Sequence, residues 1–221
     1  MWYTEIWIIV LILFVKMSEE RTDNLKNTDI MLITADTRNV EIDRNEMAQR
    51  LGTKRHFEDD LIRKCTQNLM NLIRYKCAYI RVPVDMQTEY VCDFGFMRVK
   101  SINLYKNLQG CREVFAMALT AGLAVDRELA KLRIVSQAEY FVTDAIASAA
   151  IDSFADYAVQ KMKGNLRCCP RFSPGYGDFA LHFQQPFLER LSAQALLGIT
   201  LDQSFLMSPM KSITAIMGIK Q

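Results

Sequence analysis

Residues 113–162, EVFAMALTAGLAVDRELAKLRIVSQAEYFVTDAIASAAIDSFADYAVQKM, change period in mid-stretch. EVFAMALTAG is nearly continuous apolar sequence of strand length. It reads as a strand buried on both faces, ending at Gly122. Beyond the glycine the spacing becomes helical. It predicts one helix over about Asp126 to Val135 and a long one over about Gln137 to Met162. A strand followed by two consecutive helices does not fit a repeating βαβ chain.

The flanks agree. IMLITA (30–35), VEI (40–42), YIRVPVD (79–85) and EYVCDFGFMRV (89–99) read as strands from their Val, Ile, Tyr and Phe content and partial alternation. Asp43, with Glu46 three residues later, caps a helix that Gly52 ends. A second helix is expected from about Phe57 to Tyr75, with Leu61, Cys65, Leu69, Leu72 and Ile73 along one side. Leu104–Leu108, LERL and SAQALLG are short helical pieces, and SFLMSPMKSITAIMG is a strand pair interrupted at Pro209. The fold expected is α+β: a single domain of mixed helices with a largely antiparallel twisted sheet.

The chain has 221 residues, enough for one substantial core. Its 27 Lys+Arg and 25 Asp+Glu leave a net charge of +2, which gives no electrostatic case for a nucleic-acid partner. The six cysteines contain no CxxC pair and are expected to be reduced, in a cytoplasmic protein. Residues 1–16 form an apolar extension, with Ile6–Val15 unbroken. That run is shorter than the about 20 residues of a membrane span. Two readings stand for it: a mis-assigned start ahead of Met17, or a short membrane-associated segment. Residues 17–29 are a polar linker expected to be disordered, and 30–221 are the folded unit.

Two features carry chemistry. On the long helix Phe141, Ala145, Ser148, Asp152, Ala155 and Val159 share one side, so Asp152 is an acid within a stripe of small and apolar residues. A buried carboxylate must find a cation, a donor or water. Asp152 either edges a helix-to-helix contact or receives the ammonium group of a ligand. The second feature is RCCPRFSPGYGDFAL (167–181). Cys168–Cys169 lacks partners in zinc spacing, and with His56 and His182 the only histidines no metal site is expected. Pro174 removes a donor that a phosphate cradle would want, and no G-x-G-x-x-G or Walker pattern occurs. Arg171 has the planar fork that suits a carboxylate, Pro174–Gly175 makes a turn, and Tyr176 adds an amphipathic ring. The stretch is either a carboxylate clamp beside a tight turn or an ordinary Pro-Gly turn with a surface arginine.

The pattern R-x-x-x-G-Y at Arg171–Tyr176 resembles the S-adenosylmethionine-binding motif of the activation domain of cobalamin-dependent methionine synthase. The tail LDQSFLMSPMKSIT (201–214) is similar to that family's C-terminal strand pair, and IDSFADYAVQKM to its long helix. IDRNEMAQRLG and LQGCREVFAMALTAGLAVD resemble stand-alone members, so the likeness runs from Val40 to Gly218. It implies S-adenosylmethionine as ligand: Arg171 on the methionyl carboxylate, Pro174, Gly175 and Tyr176 bordering it, Tyr176 also facing a corrin, and Asp152 at the amino end. Asp152 stands where many members carry glutamate, and the family's further acidic contact near the domain start has no matched residue. No D-x-H-x-x-G cobalamin motif occurs in this chain. The resemblance therefore implies a reactivation protein working in trans on a cobalamin-binding methionine synthase or related corrinoid protein, with a flavodoxin-like electron donor. The alternative is a non-catalytic binding or assembly subunit for a corrinoid methyltransferase.

Overall fold

In the computed structural model, which describes residues 30–52 and 58–220, the expected buried strand is the centre of the molecule. Strand β1 spans Met31–Ala35. Helices α1 (Arg44–Leu51) and α2 (Asp59–Leu72) follow, then strands β2 (Tyr75–Pro83), β3 (Asp85–Gln87), β4 (Val91–Asp93) and β5 (Arg98–Lys100). Helix α3 (Ile102–Asn107) leads into β6 (Cys111–Thr120), then α4 (Leu123–Val135) and α5 (Gln137–Lys163). Helices α6 (Gln184–Arg190) and α7 (Ala193–Leu197) precede β7 (Thr200–Leu201), β8 (Met207–Ser208) and β9 (Ser212–Lys220).

The main sheet has the order β1-β2-β6-β9, every pair antiparallel. From Val114 to Leu119 β6 is apolar because both of its faces are covered there. Phe115, Met117 and Leu119 join a core under α2, α4 and α5. Val114, Ala116 and Ala118 join a second core on the other face, with residues of α3, α6, α7 and the β3-β4-β5 sheet. β2 and β9 divide in the same way: Tyr75, Cys77, Ala215 and Met217 lie on the α5 side, and Ile80, Val82 and Ile216 on the other. The architecture is α+β, a mixture of helices and antiparallel sheet.

α5 packs on α1, α2 and α4. Its Ala145, Ala147, Ala149, Ala150, Ala155 and Ala158 are buried, and these short side chains let its neighbours approach closely. Tyr75 stacks on Phe154 at 4.5 Å between centroids, and its hydroxyl donates to the Ala150 carbonyl (3.2 Å).

Three expectations change. VEI is not a strand. A short 3-10 turn, Thr37–Asn39, capped by Asp36, precedes it and breaks the extended run. The second helix stops at Leu72. Its continuation to Tyr75 is overridden because Tyr75 opens β2, pairing with Ala35. EYVCDFGFMRV is two strands, since Gly95 at φ +80° and Asp93, accepting from the Gly95 N–H, fold it into a hairpin. Phe57, the expected helix start, His56 and the expectations for residues 1–16 and 17–29 lie outside the described residues.

Candidate functional site

After α5 the chain turns back along the free edge of β9. The Lys220 N–H donates to the Arg167 carbonyl, the Cys169 N–H to the Gly218 carbonyl, and Phe172 and Ile216 exchange both backbone bonds, each at 2.8 Å. Residues 167–172 therefore act as an irregular extra strand. In an extended segment neighbours point to opposite faces. Arg171 reaches the α5 side, while Phe172 packs into the opposite core, where it stacks near Phe179 (6.4 Å) and meets the Tyr176 ring edge-on (6.2 Å).

On α5 the residue bonded by Arg171, Asp156, ends a row four apart: Asp144, Ser148, Asp152 and Asp156. Each meets a cation from a distant element. Lys211, just before β9, bonds Asp144 (2.7 Å) and Ser148 (2.8 Å). Arg50 of α1 bonds Asp152 (2.6 Å) and its own helix neighbour Glu46 (2.8 Å). Arg171 donates through Nη2 to Asp156 Oδ1 (2.9 Å). Its Nη1 is buried with no hydrogen-bond partner among the described residues. Burial and then the Glu46 carboxylate push the Asp152 carboxyl above its ordinary range. Arg50 and Arg171 both pull it back, so Asp152 lies within electrostatic reach of Arg171.

The turn itself is tightly closed. The Tyr176 N–H donates to Ser173, the Phe179 N–H to Tyr176 and the Gly175 N–H to Phe179 (2.6 Å). Pro174 is buried in this turn. Gly175 has φ +93°, a conformation that side chains rarely adopt, and a Cβ there would press on Leu181 at 3.3 Å. Tyr176 is 60% exposed. Asp178 ties the turn to α3: it accepts from the Ser101 hydroxyl (2.5 Å) and from the Ile102 (2.6 Å) and Asn103 (3.1 Å) N–H groups. The Ser101 hydroxyl, followed by those amides, holds the Asp178 carboxyl below the usual range. Gly177 (φ +55°) lies against Asn103, whose side-chain amide would have to move to admit a Cβ. The other end of α3 holds the edge segment through Asn107, which donates to the Pro170 carbonyl (3.3 Å).

Of the five predicted residues, the structure brings Arg171 towards Asp152 on α5 and holds Pro174, Gly175 and Tyr176 in one turn next to Phe172. Arg171 is where the two groups join. The cation that Asp152 required is Arg50. Sequence reading missed Arg50, Glu46, Asp156 and Asp178. Asp156 had a readable signal, four residues from Asp152, and Ser101 before INLYKN is a capping signature. Asp178 had none. Among the described residues no group of three or more metal-ligating side chains occurs. A cleft of about 750 Å³ opens between α6, α7 and β7, lined by residues including Leu188, Ala193, Ile199 and Phe205 and by none of the five. No helix among the described residues is long and apolar enough to cross a membrane.

No family model matches this chain, and no curated protein matches it. Among solved structures, the chain is similar to the crystal structure of the MetH reactivation domain bound to AdoHcy. The TM-score is 0.59 at 11% identity, over 86% of this chain and 78% of that one. At that identity the likeness is one of fold.

Proposed function

We propose that this chain is an S-adenosylmethionine-binding reactivation protein that supports reductive methylation of cob(II)alamin on a separate cobalamin-dependent methionine synthase. One observation carries the reading. Arg171, in the R-x-x-x-G-Y stretch, keeps a buried guanidinium nitrogen without a partner among the described residues. A buried unpaired donor is costly, and a ligand carboxylate satisfies it at the fork's remaining arm. The fold's likeness to an AdoHcy-bound reactivation domain supports the same ligand class.

Arg171 holds the methionyl carboxylate while Asp156 fixes the other arm of its fork. Gly175, lacking a side chain, and Pro174 form the wall along the ligand. Tyr176, exposed, faces the corrin of the docked partner. Asp152 supplies negative charge toward the ligand's amino end, through water or by sharing with Arg50. S-adenosylmethionine supplies the methyl group, the partner carries the cobalt, and a flavodoxin-like donor supplies the electron. The protein's own part is to bind, orient and present.

A second reading has an observation of its own. Asp152 is already paired with Arg50 at 2.6 Å, which suits an assembly subunit that keeps the fold without using the acid on a ligand. One assay separates the two. The partner's cob(II)alamin is mixed with S-adenosylmethionine and a reductant, with or without this chain. Formation of methylcobalamin is followed by its absorbance. The proposed function requires conversion that depends on this chain and fails with Arg171→Ala. Conversion at the same rate without the chain overturns it. Partner binding with no conversion favours the assembly subunit.

A further inference from the structure

Cys111 opens β6, and Cys169 lies in the segment along the outer edge of β9, so one strand separates them. Their sulfurs nevertheless lie 3.5 Å apart, with the residues 4% and 5% exposed. The Cys111 sulfur lies over Gly218 of the intervening strand. A Cβ there would stand 2.6 Å from Cys111 Sγ and 2.9 Å from Leu108 Cδ2. Gly218 is not among the left-handed glycines, so glycine here leaves space for Cys111 and Leu108. The backbone holds the two residues on either side of β9: Cys111 pairs with Lys220, and the Cys169 N–H donates to the Gly218 carbonyl.

We infer that Cys111 and Cys169 are a dithiol that closes reversibly to a disulfide across β9 when the protein meets a peroxide. Closure brings the sulfurs from 3.5 Å to the about 2.05 Å of an S–S bond and, with β9 between the two backbones, requires the 167–172 segment to shift toward β6, since a disulfide holds its Cα atoms within about 7 Å. One sulfur attacks a peroxide oxygen, and the O–O bond breaks to leave a sulfenic acid and hydroxide. The second sulfur attacks the sulfenic sulfur, the S–S bond forms, and hydroxide leaves. The two thiol protons convert both hydroxides to water. Two thiols and one hydrogen peroxide thus give one disulfide and two waters, with two electrons passing from sulfur to oxygen. A small dithiol reductant reverses the step.

The site has a consequence and a speed. Cys169 is two residues before Arg171, so the bond ties the start of the ligand-facing loop to the central strand. Burial, with the neighbouring Cys169, pushes the Cys111 thiol up to about 12. Cys111 keeps its proton at neutral pH, and closure is slow and accelerates as pH rises.

The test treats the full chain, folded, with hydrogen peroxide at pH 7 and 9, then maps peptides by mass spectrometry without reduction. The expected product is lighter by about 2 Da, contains a Cys111–Cys169 linked peptide, forms faster at pH 9, and reverts with dithiothreitol. Cys168→Ser retains the link; Cys111→Ser and Cys169→Ser each lose it. Gly218→Ala, with both thiols intact, lowers its yield, and a thermal melt establishes whether that variant folds. If it does not, the wild-type map decides alone. A link through Cys168, overoxidation without any link, no reaction at either pH, or a link formed only after urea unfolding would each overturn the proposal. None of these outcomes depends on the ligand assigned to Arg171.

Discussion

Asp178 shows how much of the turn's shape rests on one carboxylate. It takes three donors from the first turn of α3 and so anchors the chain two residues after Tyr176. Its folded pKa is depressed, so its contribution to stability is present above the ordinary carboxylate value and is lost as pH falls through the lowered one. Asp178→Ala is therefore expected to melt at a lower temperature than the wild type at pH 7. The gap should close as the pH is taken down through the acid range. A gap that stays constant to low pH would mean that the charge is not what matters. Nothing in the local sequence announced this residue. GYGD reads as an ordinary turn, and Ser101 lies 77 positions away. Arg50 was hidden for the same reason, 102 positions from the acid it pairs with. Arg171 could be singled out because a planar fork beside a Pro-Gly turn suits a carboxylate whatever else surrounds it, and the carboxylate it meets in the fold is that of Asp156.

At the scale of elements, α5 decides both packing and site. Its alanines let α1, α2 and α4 close around it, and its oxygens at 144, 148, 152 and 156 pin α1, the start of β9 and the 167–172 edge segment to one helix face. The aromatic contact beneath it is the point most sensitive to loss. Phe154 is fully buried, stacked on Tyr75 and adjacent to Tyr157. Phe154→Ala should cost about 3–5 kcal/mol in denaturant unfolding, since the vacated volume cannot be refilled by the small residues around it. A loss below about 1 kcal/mol would show that the neighbours collapse into the space. The long helix and β6 were readable because each keeps one period for many residues. VEI and the end of α2 were not: short segments carry little periodic signal, and the 3-10 turn and the Tyr75–Ala35 pairing that decide them are set by capping and long-range register.

Across the whole molecule, the sheet separates two cores, and the 167–181 stretch crosses its edge. It places Arg171 on the α5 side and the Pro174–Tyr176 turn with Phe172 near the other core. The α+β class followed from period and order alone, while this straddling arrangement depends on backbone pairing to β9 that no residue pattern encodes. In the proposed function the site takes S-adenosylmethionine, with Arg171 gripping its carboxylate. The most direct measurement is a calorimetric titration of S-adenosylmethionine into the folded wild-type chain and Arg171→Ala. Saturable heat is expected for the wild type, and an affinity at least about tenfold weaker in the variant, which still melts cooperatively. Absence of heat with folded wild type, or equal affinity in the two proteins, would contradict it.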